Sequence, residues 1–445
     1  MTFISRIFYR NTFLHIGHLQ TLLYNDQFAA QHQGTCYAIV DDRQNSQRDQ
    51  QTQEDIEYLK LEHIKVISVA KHQQPIQIYT NDLGQSGFLE LIQNNEHRLS
   101  NVVQHLEHPQ CKFQIKLKTI NHPTIGYSKL QSDGSYTIVY IFDYIIKVLD
   151  ELLSVNNIVT TTPNDISDPN IMNFFNQKNT ITYHSYKPYT IQGFRYTKHN
   201  WPDLLESDPR LMTLKGLKSR HIPTEVIHQF YQEASQSDRP IKITRFDSLL
   251  KASLQANHRV FGVITPLKVT ITNFEDRYTE LIMKPLGVES RFNIVPLSST
   301  LYIEQTDFSL VDYDQKLSKN REVRLRYANV FYCTDVILDS HSRPLEIKGK
   351  YYNKDQATKA CIHWISAVNQ ANLKPVKFFN YNWFYTGDNH SSLQPPKISQ
   401  GYIDPYVFED LTQIYQLERL GYYVYDADLS SQHQIPCFIK VCNIY

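Results

Sequence analysis

Beyond residue 258 the chain becomes a succession of short alternating runs, and no other feature of the sequence restricts the fold as strongly. Val260–Ile264, Lys268–Thr272, Thr300–Glu304, Glu322–Arg326, Cys361–Ile365 and Val376–Phe379 trade apolar and polar residues at short range, with turn-forming residues between them. Runs of that length and spacing belong to an antiparallel barrel rather than to helices. The first half reads differently. Residues 13–30 carry Ile16, Leu19, Leu22, Leu23 and Phe28 at helical spacing, Gly34 is expected to stop that helix, and Cys36 to Val40 reads as a buried strand ending in Asp41-Asp42. A helix, a glycine, a buried strand and carboxylates at its end make the opening of a nucleotide fold, where ligands collect beyond the carboxyl ends of the strands. At 445 residues the chain is too long for one core. The expected order is α/β first, all-β second.

Local detail between these halves is thinner. Residues 43–53 are polar and read as loop, with a second amphipathic helix starting near Glu54-Asp55-Ile56-Glu57-Tyr58. Lys112–Lys118 looks strand-like, Ile138–Leu153 runs from strand into helix, and Pro209 and Pro223 mark the boundaries of short helices.

Composition excludes some partners. The 45 basic and 45 acidic side chains cancel, so any polyanion site must come from a local group of Lys and Arg. Six scattered cysteines with no Cys-x-x-Cys pair argue against a zinc ribbon or a disulfide scaffold, and fit a reducing cytosol. Arg6 and Arg10 interrupt what would have to be the apolar core of a secretory signal. No stretch approaches the ~18 uninterrupted apolar residues of a membrane span. A cytoplasmic protein without a membrane partner is expected.

The sharpest motif is His15-Ile16-Gly17-His18. Histidines at i and i+3 share one face of a helix's first turn, where the dipole and free amides favour phosphate. Gly17 leaves room for a flat base to pack closely. Alone, the tetrapeptide would be read first as two surface histidines; a zinc site lacks further ligands at the right spacing.

Context changes the reading. His-Ile-Gly-His, then Gly34-Thr35-Cys36, then the strand ending in Asp41-Asp42 and Glu54–Tyr58 resemble the opening of glutaminyl-tRNA synthetases. The similarity continues at Asp208–Phe230, Thr265–Phe274, Tyr302–Phe308, Glu322–Arg326, Ile362–Ser366 and Tyr415–Tyr423, covering nearly the whole chain in order. The C-terminal pieces separate it from bacterial-type glutamyl enzymes, whose anticodon domain is helical. The resemblance implies a multidomain α/β plus all-β fold. A class I synthetase Rossmann-like catalytic domain would occupy 1–80 and 136–215, with a reduced acceptor-end insertion at 81–135. A helical connecting subdomain would fill 216–257, and a β-barrel anticodon-binding region of two barrels 258–445.

By the same resemblance His15, Gly17 and His18 bind ATP, with His15 and His18 the catalytic pair, and Mg2+ accompanies the nucleotide. Asp41 meets the ammonium of glutamine, and Phe142 stands where the family carries a tyrosine, losing one hydrogen bond of ~1–3 kcal/mol to a buried ligand. Lys215, Lys218, Arg220, Arg324 and Arg326 would face tRNA, with Arg324 at the anticodon; Arg324 and Arg326 alternate on one strand and so point the same way. The implied partners are a glutamine tRNA and glutamine, with the chain a monomer.

The sequence also departs from the family. Tyr9 stands at its upstream glutamate and Thr12 at its glycine, and Leu153–Asn157 replaces Glu-Gly-Ile-Thr-His. Tyr189-Thr-Ile-Gln192 falls where Met-Ser-Lys-Arg belongs, and Phe379–Tyr385 replaces a segment with two arginines. Lys187, Arg195 and Lys198 are the cations nearest the lost lysine. Three readings therefore stand: a glutamine–tRNA ligase, a catalytically silent relative that binds tRNA or regulates, and a nucleotidyl-transfer enzyme that uses His-Ile-Gly-His on another acceptor.

Overall fold

A computed structural model describes residues 3–9, 14, 16, 18–40, 47–68, 121–122, 126–130, 136–140, 150, 154–160, 181–192, 207–274, 279–287, 291–312, 315–354, 358–368, 373–381 and 395–444. The chain divides into two compact units, one of Met1–Ile191 with Tyr231–Ile241, the other of Gln192–Phe230 with Lys242–Tyr445. Among the described residues no helix is long and apolar enough to cross a membrane.

In the first unit, β1 (Ile4–Tyr9), β2 (Thr35–Val40) and β3 (Ile64–Ser68) form a parallel sheet in the order β1-β2-β3. Helix α1 (Leu19–Gln31) connects the first two strands and α2 (Arg48–Tyr58) the next two. The short antiparallel set β4 (Asn121–His122), β5 (Gly126–Leu130) and β6 (Tyr136–Tyr140) follows. Then β7 (Asn157–Thr160) pairs in parallel with β8 (Thr182–Ser185). Asn156 ties β7 to β1: its amide donates to the Ile4 carbonyl at 3.1 Å, and its side-chain oxygen accepts from the Ile4 amide at 2.9 Å. The strand succession is thus β3, β2, β1, β7, β8. This is the doubly wound arrangement, and the strand order reverses between β1 and β7.

Two sequence expectations change here. Gly34 is not the left-handed residue that ends α1; Gln33 takes that conformation at φ 51°. Gly34 is instead required because a Cβ there would lie 2.2 Å from the Phe3 carbonyl oxygen. Helix α2 begins at Arg48, six residues before the expected start at Glu54. Its buried face includes Asp49, Thr52 and Asp55 beside Ile56, so apolar periodicity does not reveal it. Gln50–Glu54 and Gln53–Glu57 contacts at 3.2 and 2.9 Å support its outer face. Lys112–Lys118 lies outside the described residues.

The second unit opens with short helices, as the prolines imply. These are α3 (Leu214–Ser219), α4 (Thr224–Gln236, whose end lies in the first unit) and α5 (Thr244–Ser253). Thr213 caps α3 by accepting from the Gly216 amide at 2.9 Å. Two-residue strands β9 (Ile191–Gln192) and β10 (Ile241–Lys242) flank this region.

The rest is strand. β11 (Arg259–Val260), β12 (Gly262–Val263), β22 (Pro375–Asn380), β23 (Lys397–Ile403), β24 (Ile414–Leu417), β25 (Gly421–Asp426) and β26 (Cys437–Cys442) make one seven-stranded sheet, in the order β11-β24-β25-β26-β22-β23-β12. β13 (Pro266–Ile271), β16 (Thr300–Glu304), β17 (Glu322–Leu325), β18 (Val330–Leu338), β19 (Pro344–Tyr352), β20 (Cys361–Ile362) and β21 (Trp364–Ser366) make another, in the order β20-β17-β18-β19-β13-β16-β21. β14 (Glu280–Pro285) and β15 (Phe292–Leu297) form a separate hairpin. Helix α6 (Ala427–His433) precedes β26.

Each large sheet has two consecutive chain segments at its opposite edges, β11 and β12 in one, β20 and β21 in the other. One residue separates each pair, so each sheet curls until its ends nearly meet: two barrels, as expected, but mixed rather than wholly antiparallel, because β11–β24 and β22–β26 in one and β13–β19 and β17–β20 in the other pair in parallel. The separating residues are Phe261 and His363, and their rings lie 6.5 Å apart. Phe261 packs into the core of the β13–β21 barrel with Leu301, Phe331 and Trp364. The other core is built on Val376, Phe378, Tyr423 and Phe438. At the β12–β23 closure a Cβ on Gly401 would stand 1.9 Å from the Val263 carbonyl oxygen, so only glycine fits.

Candidate functional site

Strand β1 ends beside the reversal point, and the segment after it leads into α1. His18 is the N-cap residue of α1, half-buried, with helical backbone angles and no side-chain cap bond. The helix starts at Leu19 rather than within the tetrapeptide, so the imidazole sits at the tip instead of inside the first turn. Unpaired amides and the positive end of the dipole converge there. His15 and Gly17 lie outside the described residues, as do Asp41, just past the end of β2, and Phe142.

A strap crosses this helix tip. After β8 the chain lays residues 186–189 along the first turns of α1. Gln20, 5% exposed, grips it with both ends of its amide: Nε2 donates to the Lys187 carbonyl at 2.7 Å, and Oε1 accepts from the Tyr189 amide at 3.0 Å. Tyr186 donates to Thr21 Oγ1 at 2.9 Å and stacks on Tyr24 with ring centroids 4.4 Å apart. Tyr189 donates its hydroxyl to the Ile16 carbonyl at 3.0 Å. Burial, then the neighbouring Tyr231 and Tyr186 hydroxyls, push the Tyr189 phenol well above its ordinary range. It is a neutral donor, not a cation. Lys187 carries the strap's charge and directs it to Asp238 at 2.7 Å, on an exposed surface. The sequence offered no sign of Gln20 or Tyr186, because neither belongs to a motif.

Behind the helix the core is polar at a few points. Asn25, fully buried, donates to the Thr21 carbonyl at 2.8 Å and the Val159 carbonyl at 3.5 Å, and the Cys36 thiol contacts its Oδ1 at 3.7 Å. Burial pushes the Cys36 thiol up to about 12, so it is inert. Arg6 on β1 forms an ion pair with Asp150, both nearly inaccessible.

The cationic residues expected to face tRNA are not alike. Lys218 is exposed on α3 and Lys215 half-buried. Arg220, one residue beyond α3, is 3% exposed, and its guanidinium donates to the carbonyls of Val441 at 3.0 Å, Tyr381 at 2.9 Å and Pro209 at 3.4 Å. Its geometry is that of a packing residue. Arg324 and Arg326 do flank the buried Val323 and Leu325 on the outer side. Arg324 donates from Nε to the Ala328 carbonyl at 3.3 Å. Arg326 is bound to Glu418, and its guanidinium covers the Tyr327 ring at 5.0 Å. Phe379, at one of the family's arginine positions, is 3% exposed in the barrel of β22. The position of the second, Trp383, lies outside the described residues.

Glu418 and Arg419 form the turn between β24 and β25. Glu418 accepts from Tyr327 at 2.9 Å as well as from Arg326. Arg419, held at φ 68°, grips Asp307 with both Nη groups at 2.8 and 2.7 Å, and its Nη1 meets His363 Nδ1 at 3.3 Å. Burial holds His363 down to about 4 and raises the nearby Glu304 carboxyl to about 7. A turn of one barrel is thereby clasped to the other.

Comparison with known proteins is consistent with this plan. Residues 10–108 match the family described as tRNA synthetases class I (E and Q), catalytic domain. Residues 257–352 and 361–426 match two families described as tRNA synthetases class I (E and Q), anti-codon binding domain. The chain is 31% identical over 264 residues to a glutamine–tRNA ligase of Lupinus luteus, covering 53% of this chain and 33% of that protein. It is 31% identical over 258 residues to the cytoplasmic glutamine–tRNA ligase of Arabidopsis thaliana (50% and 31%) and 28% identical over 251 residues to that of Nitrobacter hamburgensis (50% and 44%). The match spans less than half the length of these relatives. A glutamate-tRNA synthetase from Elizabethkingia anophelis superposes with a TM-score of 0.32 at 10% identity, over 57% of this chain and 71% of that one, too loosely to bear on the argument.

Proposed function

The chain belongs to the glutaminyl-tRNA synthetase family as a divergent member, and from that premise we propose that it is a glutamine–tRNA ligase-like protein. In this reading the carboxylate of glutamine attacks the α-phosphorus of ATP and pyrophosphate leaves. A hydroxyl of the tRNA terminal adenosine then takes the acyl group and AMP leaves. His15 and His18 hold the phosphates from the tip of α1, Gly17 lies under the adenine, Asp41 receives the ammonium of glutamine and Phe142 walls its side chain. Mg2+ accompanying the triphosphate would supply neutralising charge there. Lys215, Lys218 and Arg324 face the tRNA, with Arg220 and Arg326 holding the surfaces that present them. We assign 81–135 to a reduced acceptor-end insertion and 216–257 to a connecting subdomain, in a cytoplasmic monomer.

The observation that carries the reading is the position of His18. It occupies the N-cap position of the helix that follows β1, at the carboxyl side of the strand where the order of the sheet reverses. That is where a doubly wound fold collects phosphates.

A second reading, a protein that binds tRNA without charging it, is favoured by the strap. With Tyr189–Gln192 set against the family's Met-Ser-Lys-Arg, the lysine position holds the uncharged Ile191, and the strap's Tyr189 is neutral and bonded to Ile16. Without that cation, charge developing on the leaving pyrophosphate loses a stabilising partner. Glutamine-dependent ATP–pyrophosphate exchange with tRNA present separates the two readings, run beside a His15→Ala/His18→Ala variant. Exchange that the variant abolishes supports the ligase. No exchange, with tRNA binding that weakens steeply with salt, supports the binding protein.

A further inference from the structure

Gln20 is the second residue of α1 and is 5% exposed. A buried primary amide is unfavourable unless both of its ends are bonded, and for packing alone an aliphatic side chain would serve as well. Both ends are bonded here, to positions two apart on one backbone edge: Nε2 donates to the Lys187 carbonyl at 2.7 Å, and Oε1 accepts from the Tyr189 amide at 3.0 Å. One side chain thus pairs with the strap much as a neighbouring strand would. A slip of the strap by one residue would turn that edge away, so the two bonds specify a single register.

The register matters because of the other end of Tyr189. Its hydroxyl donates to the carbonyl of Ile16, a fully buried residue. A peptide is planar, so the bond also holds the plane of the peptide that this carbonyl begins. Helix α1 needs such outside support. Its N-cap residue, His18, makes no side-chain cap bond, whereas the Ser, Thr, Asp or Asn usual at that position fixes a helix start by itself. The strap has further anchors of its own. The Ile241 amide donates to the Thr190 carbonyl at 2.9 Å, Lys187 pairs with Asp238 at 2.7 Å, and the Tyr189 and Tyr231 rings meet edge-on with centroids 6.4 Å apart.

We propose that Gln20 is a positioning residue of the nucleotide site: by setting the register of the strap it places Tyr189, and through the Tyr189–Ile16 bond it holds the helix tip from which His18 meets the phosphates of ATP. The proposal rests on the reading of that tip as the phosphate site, and it holds whether or not the bound nucleotide goes on to react. Neither Gln20 nor Tyr189 touches the nucleotide. Their contribution is preorganisation: the tip already has its binding arrangement when ATP arrives, so ordering it takes nothing from the affinity. With the register lost, ordering has to accompany binding. Affinity then falls about tenfold, the scale on which the supporting partners of metal-liganding side chains act.

The test measures binding of ATP with Mg2+ to the full chain by titration calorimetry, beside thermal melts. Gln20→Met keeps the length of the side chain and removes both bonds to the strap; Tyr189→Phe removes only the bond to Ile16. Each should bind ATP about tenfold more weakly than the wild type. The double variant should bind no more weakly than either, because the two residues act in series through one carbonyl. Asn156→Ala, which removes the tie to Ile4 at the amino end of β1, is the control: it lowers the melting temperature and leaves ATP affinity unchanged. Should Gln20→Met not fold, Gln20→Glu takes its place, losing the donor to Lys187. An effect of its charge on ATP would multiply with that of Tyr189→Phe, whereas a positioning effect would not. Equal affinity in the wild type and the Gln20 variant overturns the positioning role alone. So do losses that multiply in the double variant, or a loss that Asn156→Ala reproduces. No ATP binding by the wild type overturns the phosphate-site reading, and the positioning role with it.

Discussion

The Tyr189 hydroxyl donates to the Ile16 carbonyl at 3.0 Å, tying the strap that follows β8 to the turn that leads into α1. The bond joins residues 173 positions apart, and it closes on the carbonyl of a residue inside the His-Ile-Gly-His motif. Tyr189→Phe should lower stability by about 1 kcal/mol, the net value of one part-buried hydrogen bond, read by urea titration. Ile191→Lys restores a cation at the position of the family's motif lysine. On the ligase reading it raises the exchange rate several-fold; an unchanged rate favours the binding protein.

Arg6 and Asp150 are a buried pair in the first unit, at 6% and 4% exposure. Asp150→Asn leaves the guanidinium without its counter-charge in a low-dielectric core. A loss of about 3–5 kcal/mol is expected, because removing one member of a buried pair costs more than the pair contributes. Chemical denaturation monitored by circular dichroism checks it.

Arg419 and Asp307 close the clasp between the barrels with two parallel charge-assisted bonds. A double-mutant cycle through Arg419→Gln and Asp307→Asn should return a coupling of about 1–3 kcal/mol, within the range for directly contacting residues. A coupling near zero would mean that packing alone joins the barrels.

Two buried groups beside that clasp give opposite pH dependences. Glu304, raised from 4.5 to about 7 by burial, binds a proton more readily folded than unfolded. Its contribution is fully present below pH 4.5 and is lost as pH rises through about 7. His363, lowered from 6.5 to about 4, contributes above pH 6.5 and loses that contribution as pH falls through about 4. Glu304→Gln should flatten the neutral side of a stability-against-pH profile, and His363→Asn the acid side. Thermal melts across that range read both.

The cations expected to face tRNA divide into two groups by burial. Lys218→Ala and Arg324→Ala should weaken tRNA binding and each reduce the salt slope by about one. Arg220→Ala should chiefly lower the melting temperature, because three carbonyls lose their donors. Filter binding at several salt concentrations, beside a melt, distinguishes them.

Alternation after residue 258 was sufficient to announce barrels, because side-chain period follows directly from strand geometry. All six quoted runs became strands. The turn to the left-handed region at Gln33 and the early start of α2 were not legible. The need for glycine at 34 depends on where Phe3 places its carbonyl, and the start of α2 on a helix face buried through polar residues.

At the site the sequence determined the residue types: the two histidines, the acid after β2, the pair of barrel arginines. Tertiary structure decided their use. Arg326 and Arg220 look alike in sequence to Arg324 and Lys218, yet Glu418 claims the first and three backbone carbonyls the second. A sequence fixes which charge a side chain carries. Only the folded chain fixes which distant group reaches it first, because partners such as Glu418 and Arg326, 92 positions apart, meet only when the strands between them close.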